Sequence, residues 1–301
     1  MNVLLCADEG YARHGAVVMA SAMANASRAD QLRFFLLTPG LEENTKDRLH
    51  ALVEAAGAVL HIIEVDVQEL QGVKAGRFGV AALLRLLMHR YLPEDCERVI
   101  YLDCDTLVLG SLEDLWNLPL AGDVAAAAMD LCNPSSKNTR RDPDNYFNSG
   151  VMLVNLVAWR NGRVAEQALA FLEQNGEGLR YPDQDALNQV LDGKWRRLSA
   201  DWNFQPTAYA AVEKRYAHLI QYLPDLEAAI RYPRIVHFIG AVKPWHATCV
   251  HPLQDDFIAY SNLTPWPIRK AALRSTLPLG KRLRLALKRP KIRRRRKLTR
   301  S

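Results

Sequence analysis

The stretch Val99-Ile-Tyr-Leu-Asp-Cys-Asp-Thr-Leu-Val-Leu109 decides how the chain reads. It opens with four apolar residues, Val99 to Leu102, bounded by charge, the pattern of a buried strand. It then delivers Asp103 and Asp105, one residue apart. In extended backbone, residues i and i+2 project to the same side, so both carboxylates are expected to converge at the strand's end. Parallel sheets place their ligand sites there. Two like charges that close raise each other's pKa unless a cation sits between them. Oxygen donors suit a hard divalent cation, Mg(II) or Mn(II), of the kind that bridges phosphates. The stretch alone is equally compatible with a pair of carboxylates that faces water or caps the next helix.

Working outward, the flanking sequence alternates strand and helix patterns. Asn2 to Ala7 is a short buried strand, and a small-residue helix is expected from roughly His14 to Ala26. Leu32–Leu37 is a second strand, Glu42–Ala56 an amphipathic helix stopped by Gly57, and Val59–Val65 a third strand. This β-α-β-α-β order predicts an α/β fold with a doubly wound, mostly parallel sheet. Gly72 to Gly79 reads as a flexible connection, Val80–Leu92 as one apolar helix carrying Arg85, and Val124–Met129 as a strand ending on Asp130. Leu131–Asn145 is a polar loop. Tyr146–Asn155 is a strand followed by one long helix to about Gln174. Tyr181-Pro-Asp-Gln-Asp-Ala-Leu-Asn188 opens another helix, with Asp183 expected as its cap. Trp195–Trp202 is strand-like, and Arg234–Ile239 is the last strand.

Four carboxylates, Asp8, Asp103, Asp105 and Asp130, each follow an apolar run and are expected along one edge of the sheet. His237 lies inside an apolar strand, where a histidine is either a satisfied core residue or a ligand. Gly240 lets backbone approach a bound group, and Lys243 supplies a point charge suited to phosphate. The three together read as a third metal ligand beside a phosphate clamp.

Composition narrows the class. The chain has 301 residues, 49% of them hydrophobic, enough for one large α/β domain. Its five cysteines are scattered, with no Cys-x-x-Cys pair, which points to a reducing compartment and away from a disulfide or zinc framework. No signal peptide is read before the first strand, and no apolar run approaches the about 20 residues that span a bilayer. The net charge of +6 is uneven: 15 of the 39 Lys and Arg lie from Arg269 onward, with no acidic residue among them. That leaves 24 basic residues against 33 acidic in the body. The expected organisation is a catalytic domain over 1–262 and a basic, Leu- and Arg-rich tail over 263–301, joined by a linker at Thr264-Pro-Trp-Pro267. Leu283, Leu285, Leu287 and Ile292 interleave the basic residues, with Trp266 before them, a pattern suited to an anionic membrane surface. A solvated tail and a nucleic-acid patch are the alternatives, and the acidic body weighs against nucleic acid.

Taken together, Cys6-Ala-Asp8, the Val99–Asp105 run, Tyr146-Phe-Asn-Ser-Gly-Val151, Tyr181–Asn188, Asn203-Phe-Gln-Pro206 and His237-Phe-Ile-Gly-Ala-Val-Lys-Pro-Trp245 resemble glycosyltransferase family 8. Within that family they resemble the bacterial lipopolysaccharide and lipooligosaccharide α-galactosyl- and glucosyltransferases. The resemblance implies the GT-A fold and a retaining, Mn(II)-dependent hexosyltransferase, with Mg(II) the other candidate ion. It implies UDP-galactose or UDP-glucose as donor and a lipid-linked saccharide as acceptor. It implies an enzyme on the inner face of the cytoplasmic membrane, the tail its peripheral anchor. By the same resemblance, Asp103, Asp105 and His237 hold the metal, and Ala7, Asp8, Tyr11 and Cys104 lie with the nucleotide. Gly240 and Lys243 contact the diphosphate, and Arg85, Asp130, Asn148, Asp183 and Gln184 hold the sugar. Tyr181, Pro206 and Thr207 lie toward the acceptor. Gln184 is a poor nucleophile, so front-face departure and attack is expected, with Gln184 stabilising the oxocarbenium-like centre and Asp183 and Asp130 orienting the sugar. A metal-dependent nucleotide-sugar hydrolase or nucleotidyltransferase is the rival enzyme built on the same carboxylates.

Overall fold

A computed structural model describes residues 1–70, 73, 79–132, 145–175 and 179–299. Most of the connection expected at Gly72–Gly79, and most of the loop expected over Leu131–Asn145, lie outside them. The chain runs β1 (Asn2–Cys6), α1 (Glu9–Ala24), β2 (Arg33–Thr38), α2 (Glu43–Glu54) and β3 (Val59–Glu64). After a 3-10 segment, Val80–Leu87, come α3 (Met88–Tyr91), β4 (Arg98–Leu102), β5 (Thr106–Val108), α4 (Glu113–Trp116) and β6 (Ala125–Met129). Next are β7 (Phe147–Asn155), α5 (Leu156–Asn161), α6 (Val164–Asn175), α7 (Pro182–Val190) and β8 (Trp195–Leu198). The chain continues through α8 (Thr207–Lys214), α9 (Leu223–Arg231), β9 (Ile235–His237), α10 (Gln254–Ser261), α11 (Lys270–Ser275) and α12 (Leu279–Leu298).

Seven strands form one sheet in the order β3-β2-β1-β4-β7-β6-β8. All its neighbours are parallel except those of β7, which runs antiparallel to both β4 and β6. Alternation along each strand splits the core in two. Leu4, Phe35, Val99, Tyr101 and Met152 face one cluster, and Leu5, Phe34, Ile100, Leu102 and Leu153 face the other. Both faces are therefore dry, which is why these strands read as continuous apolar runs.

The decisive stretch departs from a single strand. β4 stops at Leu102; the Thr106 N–H then bonds to the Asp103 carbonyl at 3.1 Å and the Thr106 hydroxyl to the same carbonyl at 2.8 Å. This tight turn carries Asp103-Cys104-Asp105 out of the main sheet. β5 then pairs antiparallel with β9 in a separate two-stranded sheet, Thr106 opposite His237. The carboxylates thus converge through a turn and not through strand alternation.

Other boundaries move for local reasons. α1 begins one turn earlier than expected because Asp8 caps it, its carboxylate accepting the Tyr11 N–H at 3.0 Å. The expected apolar helix over Val80–Leu92 is mostly 3-10. The long helix after β7 is broken into α5 and α6 at Gly162-Arg163, where Arg163 takes a φ of 48°. The last strand is three residues long and belongs to the second sheet. The expected linker packs against the body: Thr264 is buried, and Trp266 lies on the cluster containing Leu49 and Val53.

Candidate active site

The turn after β4 and the end of β9 bring three ligand atoms together. One oxygen each of Asp103 and Asp105 and a nitrogen of His237 lie within 4.8 Å of one another. His237 Nε2 is 3.2 Å from Asp105 Oδ1 and 3.7 Å from Asp103 Oδ2. Close approach depends on Gly150 in β7: a Cβ there would sit 2.2 Å from His237 Cε1 and 2.6 Å from Asp103 Oδ2. Two oxygens and an imidazole nitrogen fit a hard divalent cation such as Mn(II) or Mg(II). Lys243 ion-pairs with Asp105 and donates to the Phe238 carbonyl at 3.0 Å. Burial works against the Asp105 charge, but Lys243 and His237 outweigh it and hold the carboxyl well below the usual carboxylate range.

Arg85 is a buried node beside this cluster. Its guanidinium pairs with Asp103 Oδ1 at 2.8 Å and Asp183 Oδ2 at 3.3 Å, and donates to the Ser149 carbonyl and hydroxyl. It lies 4.6 Å over the Tyr101 ring, whose hydroxyl donates to Asp103 Oδ1 at 2.7 Å. Burial, with Asp103 adding to it, pushes the Asp183 carboxyl up against the lowering effect of Arg85. Asp183 is not the cap of α7. The cap position is Tyr181, whose N–H donates to Asp185 Oδ2 at 3.1 Å, while Asp183 turns to Arg85 and Ser149.

A row of buried amides runs from the cluster along β7. His237 Nδ1 lies 3.0 Å from Asn203 Oδ1, Asn203 Nδ2 donates to Asn148 Oδ1 at 2.9 Å, and Asn148 Nδ2 donates to Gln184 Oε1 at 3.1 Å. Gln184 Nε2 donates to Asp130 Oδ2 at 2.8 Å and to the Tyr146 hydroxyl at 3.2 Å. Asp130, Asn148, Asp183 and Gln184 are therefore one connected group, joined to the Asp103–Asp105–His237 cluster through Arg85 and Asn203.

The remaining candidates divide. Asp8 serves as the α1 cap. Tyr11 is half-exposed, edge-on to Trp245 at 5.8 Å, and Trp245 stacks on His14 at 3.5 Å. Ala7 is buried, and its N–H bonds to the Leu37 carbonyl at 3.0 Å. Cys104 turns its thiol into the core, 3.4 Å from the Cys6 carbonyl, so its side chain stands outside the ligand cluster. Gly240 has a φ of +96°, a conformation that favours glycine. Thr207, at the start of α8, contacts Cys132 at 3.3 Å.

The family model "Glycosyl transferase family 8" matches residues 2–249, most of the chain. The chain belongs to glycosyltransferase family 8. It is 29% identical over 272 residues to general stress protein A of Bacillus subtilis, covering 88% of this chain and 94% of that one. It is 27% identical to a lipopolysaccharide 1,2-glucosyltransferase of Escherichia coli K12, covering 88% and 79%. Among solved structures it resembles the galactosyltransferase LgtC, solved with donor and acceptor sugar analogues. That match has a TM-score of 0.79, 27% identity and coverage of 94% and 99%. This family 8 chain is thus a glycosyltransferase with the GT-A fold, as the motifs led one to expect.

Three contributors to the Asp103–Asp105–His237 cluster carried no assigned role in the sequence. Gly150 and Asn203 stand inside motifs that the resemblance quoted, and Tyr101 lies in the apolar run before Asp103. Two of them carry a spacing signal: Tyr101 stands two residues before Asp103, and Gly150, in β7, lies beside the turn after β4, the Asp103 N–H bonding to its carbonyl at 2.8 Å. The basic tail forms α11 and α12, and the far end of α12 docks on the body. Arg295 grips Glu213 at 2.7 and 2.8 Å, Arg296 pairs with Asp256 at 2.6 Å, and buried Thr299 bonds to the Tyr209 hydroxyl at 2.9 Å. No helix of the described residues is long and apolar enough to cross a membrane.

Proposed function

We propose that this glycosyltransferase moves a hexose, galactose or glucose, from a UDP-sugar to a saccharide of the lipopolysaccharide or lipooligosaccharide core, with retention at the anomeric carbon. The convergence of Asp103, Asp105 and His237 carries this reading. These three residues would hold Mn(II), which when bound would supply Lewis-acid charge for the departing diphosphate. Lys243 adds a fixed positive charge beside that leaving group, and Gly240 lets backbone approach it closely. Tyr11, with Ala7, Asp8 and the backbone around Cys104, takes the uridine, its ring offering a stacking face. Arg85, Asp130, Asn148 and Asp183 orient the sugar hydroxyls, and Tyr181, Pro206 and Thr207 face the acceptor.

Gln184 is a poor nucleophile, and its carbonyl already accepts from Asn148 and from the Ser149 N–H at 3.2 Å. It acts as a fixed dipole beside an oxocarbenium-like centre while the acceptor attacks from the face that UDP leaves. Asp185 is buried and engaged by Tyr146 and the Tyr181 N–H, which argues against it as a nucleophile. A sugar trapped covalently on Asp130 or Asp185 would refute the front-face route.

The tail serves as a peripheral anchor on the inner face of the cytoplasmic membrane. Leu279, Leu283 and Leu287 recur every four residues along α12, 70%, 59% and 82% exposed, among Lys281, Arg282, Arg284 and Lys288. Such a basic amphipathic helix suits an anionic bilayer. Replacing Arg282, Arg284 and Lys288 with Glu in the full chain is expected to abolish binding to phosphatidylglycerol vesicles while preserving turnover on soluble acceptors. Unchanged vesicle binding refutes the anchor.

UDP release from a panel of UDP-sugars, with Mn(II) or with chelator, tests the donor assignment. Metal-dependent release from one UDP-hexose, lost in Asp105→Asn, is the expected result. No release and no UDP-sugar binding under either condition overturns it.

A further inference from the structure

We propose that Asn203 is a positioning residue that sets the cation site and the sugar site through a single buried amide. The inference deepens the donor-site reading above and rests on it. Asn203 is 1% exposed, and both ends of its side chain are engaged.

The polarity of the amide row follows from backbone groups that can only donate. The Gly150 N–H donates to Asn148 Oδ1 at 3.1 Å, and the Ser149 N–H donates to Gln184 Oε1 at 3.2 Å. Asn148 must therefore present its NH2 to Gln184 and its oxygen toward Asn203. Asn203 answers that oxygen with its own NH2, so its carbonyl faces His237 Nδ1. An acceptor there requires Nδ1 to carry a proton. His237 Nε2 is then the ring nitrogen that faces the Asp103 and Asp105 oxygens, placed to ligate a cation set between them. In the other direction, the same orientation directs the Gln184 NH2 at Asp130 Oδ2. Every donor in the row, from His237 to Asp130, points the same way, so reversing one amide forces like groups together at its neighbours.

Two variants separate the two ends. In Asn203→Asp, one carboxylate oxygen still accepts from His237 Nδ1–H, but the other opposes Asn148 Oδ1, which Gly150 prevents from rotating away. Mn(II) alone is expected to bind within threefold of wild type, and UDP likewise, while kcat/KM for UDP-hexose hydrolysis falls at least tenfold. In Asn203→Ala both supports are gone, and Mn(II) affinity is expected to fall about 10- to 100-fold as well. A third measurement uses the unaltered protein. 15N-histidine NMR of the cation-free chain, with His237→Gln assigning the signal, is expected to show a proton on His237 Nδ1.

An unprotonated Nδ1 overturns the inference, as do variants that fold and keep both Mn(II) affinity and donor kinetics within twofold. Should a variant fail to fold, the wild-type Nδ1 proton still decides. A wild-type chain that binds neither Mn(II) nor UDP refutes the donor-site reading instead, and the Nδ1 proton is read independently of it.

Discussion

Gly150→Ala places the smallest side chain where the site has no room for it. Its Cβ would lie 2.2 Å from His237 Cε1 and 2.6 Å from Asp103 Oδ2, whereas ordinary contact begins at 3.4 Å. The imidazole must retreat by about 1.2 Å, several times the roughly 0.2 Å tolerance of a metal–ligand distance. Neither neighbour can yield freely. The His237 ring is tied to Asn203 and its strand to β5, and Asp103 is held by Tyr101 and Arg85. Mn(II) affinity is expected to fall at least about tenfold, and overpacking to cost about 1–3 kcal/mol of stability. Free Mn(II) followed by electron paramagnetic resonance gives the first quantity, and urea unfolding gives the second. Gly110→Ala is the control, since a Cβ there meets Arg234 only at ordinary distances from 3.6 Å outward. A folded Gly150→Ala protein with wild-type Mn(II) affinity would refute the idea that Gly150 clears the ground for the triad.

Three further outcomes follow from buried charge and from the tail. Arg85→Met leaves buried Asp183 and half-buried Asp103 without their cation and is expected to cost about 3–5 kcal/mol in urea unfolding; a neutral result would mean that the carboxylates find other partners. Burial, followed by Arg13, holds His14 down to about 3, below its ordinary 6.5, so between those values the unfolded chain binds a proton that the folded chain does not. Stability should therefore fall with falling pH by up to about 1.4 kcal/mol per unit from this residue, and His14→Phe should flatten the slope between pH 7 and 5. A double-mutant cycle on Arg295 and Glu213 is expected to give a coupling of about 1 kcal/mol, with faster hydrogen exchange at the end of α12 in both single variants; zero coupling would mean that the docked end is held by Thr299 and Arg296 alone.

Reading from sequence reached furthest where chemistry is local. The run Val99–Leu102 is buried as its apolar pattern demands, and Asp103, Asp105 and His237 come together at the sheet's edge. The order and spacing of six motifs, from Cys6-Ala-Asp8 to His237–Trp245, were enough to point to the family. Where the reading failed, long-range pairing had intervened. Strand alternation was the wrong reason for the Asp103–Asp105 convergence, because β5 leaves the main sheet to pair with β9, more than a hundred residues away. Asp183 had the composition and spacing of a helix cap, yet a buried arginine from another segment drew it inward.

The sequence by itself determined the alternation of strands and helices, the apolar faces that close the core, and the identities of the charged groups at the strand ends, because each depends on side chains a few residues apart. Only the tertiary structure decided which partners those groups have. That Gly150 must lack a side chain, that Arg85 spends its charge on Asp103 and Asp183, and that Asn203 joins His237 to Gln184 are consequences of β7 lying between β4 and β6. Contacts between distant segments are fixed by how the whole core packs, and no local pattern encodes them.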